Sequence, residues 1–222
     1  MFSPSNYEFM TNNMKIIVKS IELKLNEDFF IEYKSIAIDA IDKYIEAIKN
    51  FEYSGVGRDL SRDNEAEKFI CSHYCNLVIT IENVDVIQVF DALRIAFSDY
   101  ACGGLHQLYS HQENGSWYPK IILTEILLPN DIDFLDEILT LYRGCDIAEF
   151  ESNDFGQAWT TSLDQALAFA YEHYSHYDWF DVKKRVVLKT IYSRAHVLFS
   201  KQSGEYEVVI NRNKLGCVKM HK

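Results

Sequence analysis

The chain has 222 residues, 48% of them hydrophobic and 14% aromatic, enough for a substantial core and unlike a disordered chain. Its formal net charge of −11 argues against indiscriminate nucleic-acid binding by the whole chain, and no apolar run approaches the length of a bilayer span. The N-terminus MFSPSNYEFMTNNMKIIVKS lacks a signal peptide's charged start and apolar core, and five scattered cysteines suit a reducing compartment. The expectation is a cytoplasmic protein with no membrane association.

The first hundred residues read as mostly helical. In SIAIDAIDKYIEAIKNF, Ile36, Ala40, Ile41, Tyr44, Ile45 and Ile48 fall on one helical stripe, with Ser35 as the expected cap. The polar stretch EYSGVGRDLSRDNEAE reads as a loop, and its GVG lacks the strand-to-helix frame of a dinucleotide fingerprint. CSHYC places Cys71, His73 and Cys75 close together, but no second ligand pair follows at a zinc-like spacing, so no metal is expected. DVIQVFDALRIAFSDY predicts a second helix, with Asp85 and Gln88 resembling a capping box. YACGGLHQLYSHQENGSWYP gathers Gly, Asn, Ser and Pro and marks the main break.

Beyond it the texture changes to short runs rich in β-formers: KIILTEILL, ILTLYRG, RVVLKTIY, HVLFS and EYEVVI. One helix interrupts them, at TSLDQALAFAYEHY, where Ser162 and Gln165 form an S-x-x-Q box ahead of Leu163, Ala166, Leu167 and Ala170. The predicted fold is α+β, with a mainly helical region over 1–118 and a mixed-sheet core over 119–222.

The run SGEYEVVI raises a question of charge. On a strand, positions i and i+2 share a face, so Glu205 and Glu207 are expected side by side, with Tyr206 and Val208 opposite. Parallel carboxylates repel and call for solvent or a cationic partner. Residues 131–182 carry twelve acidic side chains and one basic one, Arg143, whereas residues 183–222 carry ten basic ones and only these two glutamates. The pair therefore sits in the most basic segment, where an acidic ligand would meet positive charge.

Three stretches stand out in the sheet-rich half. LTLYRGCD ends a strand with Arg143 and Gly144, GQAWTTSLDQALAFA sets Thr160, Thr161 and Ser162 before the capped helix, and SGEYEVVI carries the glutamates. Each alone has a plain structural reading: a strand-end arginine, an N-cap, a water-facing pair. Their order and flanking strands resemble the R-S-E signature of mono-ADP-ribosyltransferases, the family of arginine-modifying bacterial toxins and vertebrate ecto-transferases. The resemblance covers roughly residues 138–212 and departs from the pattern at Thr160, where a serine is usual; the added methyl and stiffer rotamer must fit the site.

The resemblance implies an enzyme with an ADP-ribosyltransferase-like core that uses NAD as co-substrate and no metal. Arg143 would hold the phosphate and ribose region, and the Gly144 backbone would lie against the nicotinamide amide. Thr160 would orient the catalytic glutamate, with Thr161 and Ser162 bracing the site. Glu207 would bond the ribose hydroxyl and stabilise the developing cation, while Glu205 would face the acceptor. The segment SRAHVLFSKQSG would be the acceptor loop, and an aromatic such as Tyr174, Tyr177 or Trp179 would stack on nicotinamide.

Glu205 at the first position of the pair favours protein arginine as acceptor. Lys183, Lys184, Arg185, Arg194 and Lys201 would equally suit a phosphate backbone, so a nucleic-acid base is the alternative. An intracellular toxin of toxin–antitoxin or phage-defence type, with an antitoxin protein as partner, is the implied setting. An NAD glycohydrolase and an inactive binding module are the further alternatives.

Overall fold

The chain divides into two units, Met1–Ile122 and Leu123–Lys222, where the sequence places the break at 118/119. The computed structural model describes residues 2–55, 58, 64–112, 117–176 and 180–221. In the first unit the described helices are α1 (Pro4–Asn12), α2 (Val18–Leu25), α3 (Lys34–Tyr53), α4 (Glu65–Val78) and α5 (Val84–Ser110). None of the described helices is long and apolar enough to cross a membrane.

The stripe of α3 is buried as Ala37, Ala40, Ile41, Tyr44, Ile45 and Ile48, while Ile36 faces outward. Ser35 lies inside α3 rather than capping it, because a 3-10 turn at Ile31–Tyr33 runs directly into the helix. Asn83, not Asp85, caps α5, its side chain accepting from the Asp85 and Val86 N–H groups. The first part of the stretch read as the main break is still helical: α5 bends at Gly104, φ +67°, and continues to Ser110. Cys71 and Cys75 ride on α4, and among the described residues no three His, Cys, Asp or Glu side chains are grouped to hold a metal ion.

The second unit is a six-stranded sheet with helices α6 (Ile147–Ser152) and α7 (Leu163–Tyr171). Its strands are β1 (Ile138–Asp146), β2 (Ala158–Thr160), β3 (Arg185–Ser193), β4 (Val197–Lys201), β5 (Glu207–Ile210) and β6 (Lys219–Met220), in the order β4-β5-β2-β1-β3-β6. All the described pairings are antiparallel, so the expected mixed sheet is corrected. The reason is the route of α7. It joins β2 to β3 across β1, so those two strands run the same way but never touch; each pairs with β1 in the opposite sense.

KIILTEILL forms no strand. It straddles the boundary of the two units, so no single ladder takes it: Ile121 makes one bridge to Ile16, and the Leu127 N–H donates to the Leu198 carbonyl. SRAHVLFSKQSG is likewise not one loop. Its centre is β4, an edge strand with Val197, Leu198, Phe199 and Ser200 buried, which leaves a 3-10 turn at Arg194–His196 before it and a turn after Lys201.

The two faces of the sheet are distinct. Leu139, Leu141, Cys145, Trp159, Leu188, Val208 and Ile210 pack into the main core on one face. On the other, α7 lays Ala166 and Ala170 against Val187, with Tyr142 and Leu163 at the margin. Ser162 caps α7, accepting from the Gln165 N–H at 3.3 Å, as the S-x-x-Q pattern predicts. Gly144 permits the helix to lie this close, since a Cβ there would collide with the Ala166 carbonyl and stand 2.5 Å from the Ala170 nitrogen, both backbone atoms that cannot swing away. Gly144→Ala is therefore expected to destabilise the fold by about 2 kcal/mol, as overpacking does, read as a lowered midpoint in denaturant unfolding.

Candidate active site

The three motif-bearing strands run level at one point of the sheet. Tyr142 of β1 pairs directly with Thr160 of β2, and Thr160 with Glu207 of β5. Cross-strand partners in direct register share a face, so these three side chains form one row on the α7 face, with successive Cα atoms about 5 Å apart. Thr160 is 5% exposed, while Tyr142 and Glu207 are half-buried.

The hydroxyl of Thr160 holds the site together. It donates to the Glu205 carbonyl at 2.8 Å and accepts from the Ser162 N–H at 3.0 Å. The expected hydrogen bond to a glutamate carboxylate is thus replaced by one to the glutamate loop's main chain. The Thr161 N–H adds a second tie, to the Tyr206 carbonyl at 3.1 Å, so the end of β2 clamps the turn that leads into β5. Thr161 Oγ1 donates to Gln202, whose amide donates to Ser200 Oγ and to the Glu207 carbonyl, while the Gln202 N–H donates to Asp131. Gln202 and Asp131 fix this turn, and neither is marked by any local motif.

The glutamates do not stand as neighbours on one strand. β5 begins at Glu207, and Tyr206 before it takes φ +53°, with Gly204 at φ +79°. A left-handed residue reverses the chain, so the alternation of faces does not extend back to Glu205. Glu205 is exposed at the turn, Tyr206 is 45% exposed rather than sharing a face with fully buried Val208, and Glu207 alone enters the sheet. A bulky residue at positive φ costs free energy, and the two clamps from β2 hold it there.

Arg143 is not brought together with the glutamate pair. It lies between Leu141 and Cys145 in β1 and so points to the core face, opposite the row of Tyr142, Thr160 and Glu207. There it forms a bidentate pair with Glu149 of α6, Nε to Oε2 and Nη2 to Oε1 both at 2.8 Å, and Nη1 donates to the Ala158 carbonyl at 2.6 Å. The Gly156 N–H completes the carboxylate's shell at 3.1 Å. The guanidinium thus ties β1, α6 and β2 together, which is not the phosphate-holding role the resemblance implies. Gly144 likewise meets α7 across its missing side chain.

Of the aromatic candidates, Tyr174 is half-buried beyond α7 beside His173, and Tyr177 and Trp179 lie outside the described residues. Among the described residues, Tyr142 places an aromatic ring on the Glu207 face. Its identity stands in the YRG motif, but its placement appears only through the register.

Burial alone would raise the Glu149 carboxyl; the hydrogen bonds and charge of Arg143 and the Gly156 N–H outweigh it and hold the group below the usual glutamate range. A carboxyl lowered in the folded state stabilises fully above its unfolded pKa, about 4.3, and loses that contribution as pH falls through the folded value. Glu149→Gln, which leaves a largely buried cation with a poorer partner, is expected to cost about 3 kcal/mol at neutral pH. Urea midpoints measured from pH 7 downward should fall less steeply in this variant than in the wild type. Comparison of the chain with protein-family models, curated proteins and solved structures returns no match.

Proposed function

We propose that the Leu123–Lys222 unit is the core of an NAD-dependent mono-ADP-ribosyltransferase that acts on a macromolecular acceptor, with protein arginine as the lead acceptor. The observation that carries this reading is the junction of motifs at Thr160, which puts the Thr-Thr-Ser stretch, a half-buried glutamate and an exposed glutamate at one point of the sheet. The donor set on this face suits a ribosyl substrate: a carboxylate set in the sheet, an aromatic ring one strand beyond Thr160, and a second carboxylate at the rim.

Cleaving the nicotinamide–ribose bond develops oxocarbenium-like charge on the sugar. Glu207, anchored in β5, stabilises that charge and accepts a hydrogen bond from a ribose hydroxyl. Glu205, exposed on a turn held by its own carbonyl, presents its carboxylate to the acceptor and takes its proton. Thr160 is a positioning residue that sets the height of both glutamates. Arg143 braces the β1–α6–β2 corner, so its substitution acts through the fold.

The test is incubation with labelled NAD and cell lysate, with samples split between protease and nuclease. Label released only by protease supports a protein acceptor, whose modified residue is then mapped; label released only by nuclease moves the acceptor to a nucleic-acid base. Glu207→Gln is expected to lower NAD turnover by about 10²–10³-fold. Glu205→Gln should abolish transfer while NAD cleavage to free ADP-ribose continues. Wild-type turnover in Glu207→Gln, or no turnover by folded wild-type protein, would remove the reading.

A further inference from the structure

The row on the α7 face does not stop at Tyr142. Tyr142 pairs directly with Lys189 of β3, and Lys189 pairs directly with Lys219 of β6. Glu207, Thr160, Tyr142, Lys189 and Lys219 therefore form one line across five strands, doubly basic at the β6 end, and beyond Glu207 the line continues to its direct partner Lys201 of β4. The lysine Nζ of residue 189 stands 5.6 Å from the Tyr142 ring centroid, and the His221 ring meets the same ring edge-on at 5.7 Å. The His221 N–H donates to the Val187 carbonyl at 2.7 Å, fixing the chain so that His221 and Lys219 share this face.

Two lysines in direct cross-strand register repel and weaken the pairing of a two-residue edge strand. Among the described residues neither has a carboxylate within ion-pair distance. Arg143, the cation expected to serve the ligand's phosphates, is on the opposite face and neutralised by Glu149. On the glutamate face Lys201 stands in register with Glu207, whereas Lys189 and Lys219 stand in register with each other, so the positive charge with no carboxylate opposite it in the row is that of Lys189 and Lys219.

We propose that Lys189 and Lys219, with the His221 ring beside them, form a binding site for a pyrophosphate group, filled by the diphosphate of a dinucleotide whose ribose lies over Glu207. This rests on the reading of Glu207 as the ribose-facing carboxylate. Lys189 and Glu207 are three strands apart, about 14 Å between Cα atoms. The Lys189 ammonium reaches into that interval, 5.6 Å from the Tyr142 ring centroid, and the proposed ligand spans the rest with a ribose and its 5′-phosphate. Charge-assisted bonds from two ammonium groups to the ligand offset the repulsion between the two opposed lysines.

The test is calorimetric titration of the full chain with NAD, with inorganic pyrophosphate and with a single-stranded RNA oligonucleotide. The variants are Lys189→Gln/Lys219→Gln, Lys189→Arg/Lys219→Arg, Lys183→Gln/Lys184→Gln and Glu207→Gln. The glutamine pair is expected to weaken both NAD and pyrophosphate by about tenfold or more, the arginine pair to restore binding, and the Lys183/Lys184 variant to bind as wild type. Lys219→Gln should also raise the Tm of the ligand-free protein, because the opposed charges are relieved. Pyrophosphate binding that depends on these lysines, in a protein that neither binds nor turns over NAD, would keep the anion site and remove the transferase reading. Unchanged pyrophosphate affinity in the glutamine pair would overturn the proposal. So would no pyrophosphate binding by the wild type, or lysine-dependent binding of RNA alone.

Discussion

The hydroxyl of Thr160, buried where β1, β2 and β5 run level, has two hydrogen bonds on which the candidate site depends. One fixes the Glu205 carbonyl and with it the turn into β5; the other fixes the Ser162 N–H and with it the start of α7. Each is worth about 1 kcal/mol net, small against a whole fold but sufficient to choose between local conformations. Together with the Thr161–Tyr206 tie they hold a bulky residue at positive φ and place one glutamate in the sheet and the other at its rim. The threonine found where the resemblance expects serine is accommodated there, its hydroxyl fully engaged.

A second constraint separates charge between the faces of the sheet. Arg143 and Glu149 neutralise each other on the core face, where an unpaired cation would be costly. The α7 face carries one cross-strand row with Lys201 beside Glu207 at the β4–β5 end and the lysine pair Lys189 and Lys219 at the β3–β6 end. Gly144 sits between these arrangements: it lets α7 approach β1 closely enough to bury Ala166 and Ala170. Packing, capping and placement of the row are thus linked through β1, β2 and α7.

What was legible in the sequence was local. The stripe of α3 and the Ser162 cap of α7 depend on residues within one or two turns, and both are found where periodicity and capping place them. The strands around Arg143, Arg185, Val197 and Glu207 were readable from β-branched content. What was not legible depends on distant parts of the chain. Arg143's partner is set by α6 folding back on β1, and no spacing rule selects Glu149 over water or ligand. The strand rule for Glu205 and Glu207 failed because Tyr206, a residue that rarely adopts positive φ, does so under restraint from β2. KIILTEILL has a strand's composition without a strand's partners, and the mixed sheet became antiparallel because α7 crosses over β1. Tyr142 is not marked by its local sequence, because only the register shows which neighbour of the motif arginine shares a face with Glu207.

The central claim is that the substrate face is the α7 face, with Arg143 excluded from it. A crystal structure of Glu207→Gln with NAD bound tests this most directly. The account predicts a nicotinamide ribose over residue 207, the pyrophosphate toward β3 and β6, and an unbroken Arg143–Glu149 pair on the far side of the sheet. Phosphate oxygens held by Arg143, with Glu149 displaced, would contradict it.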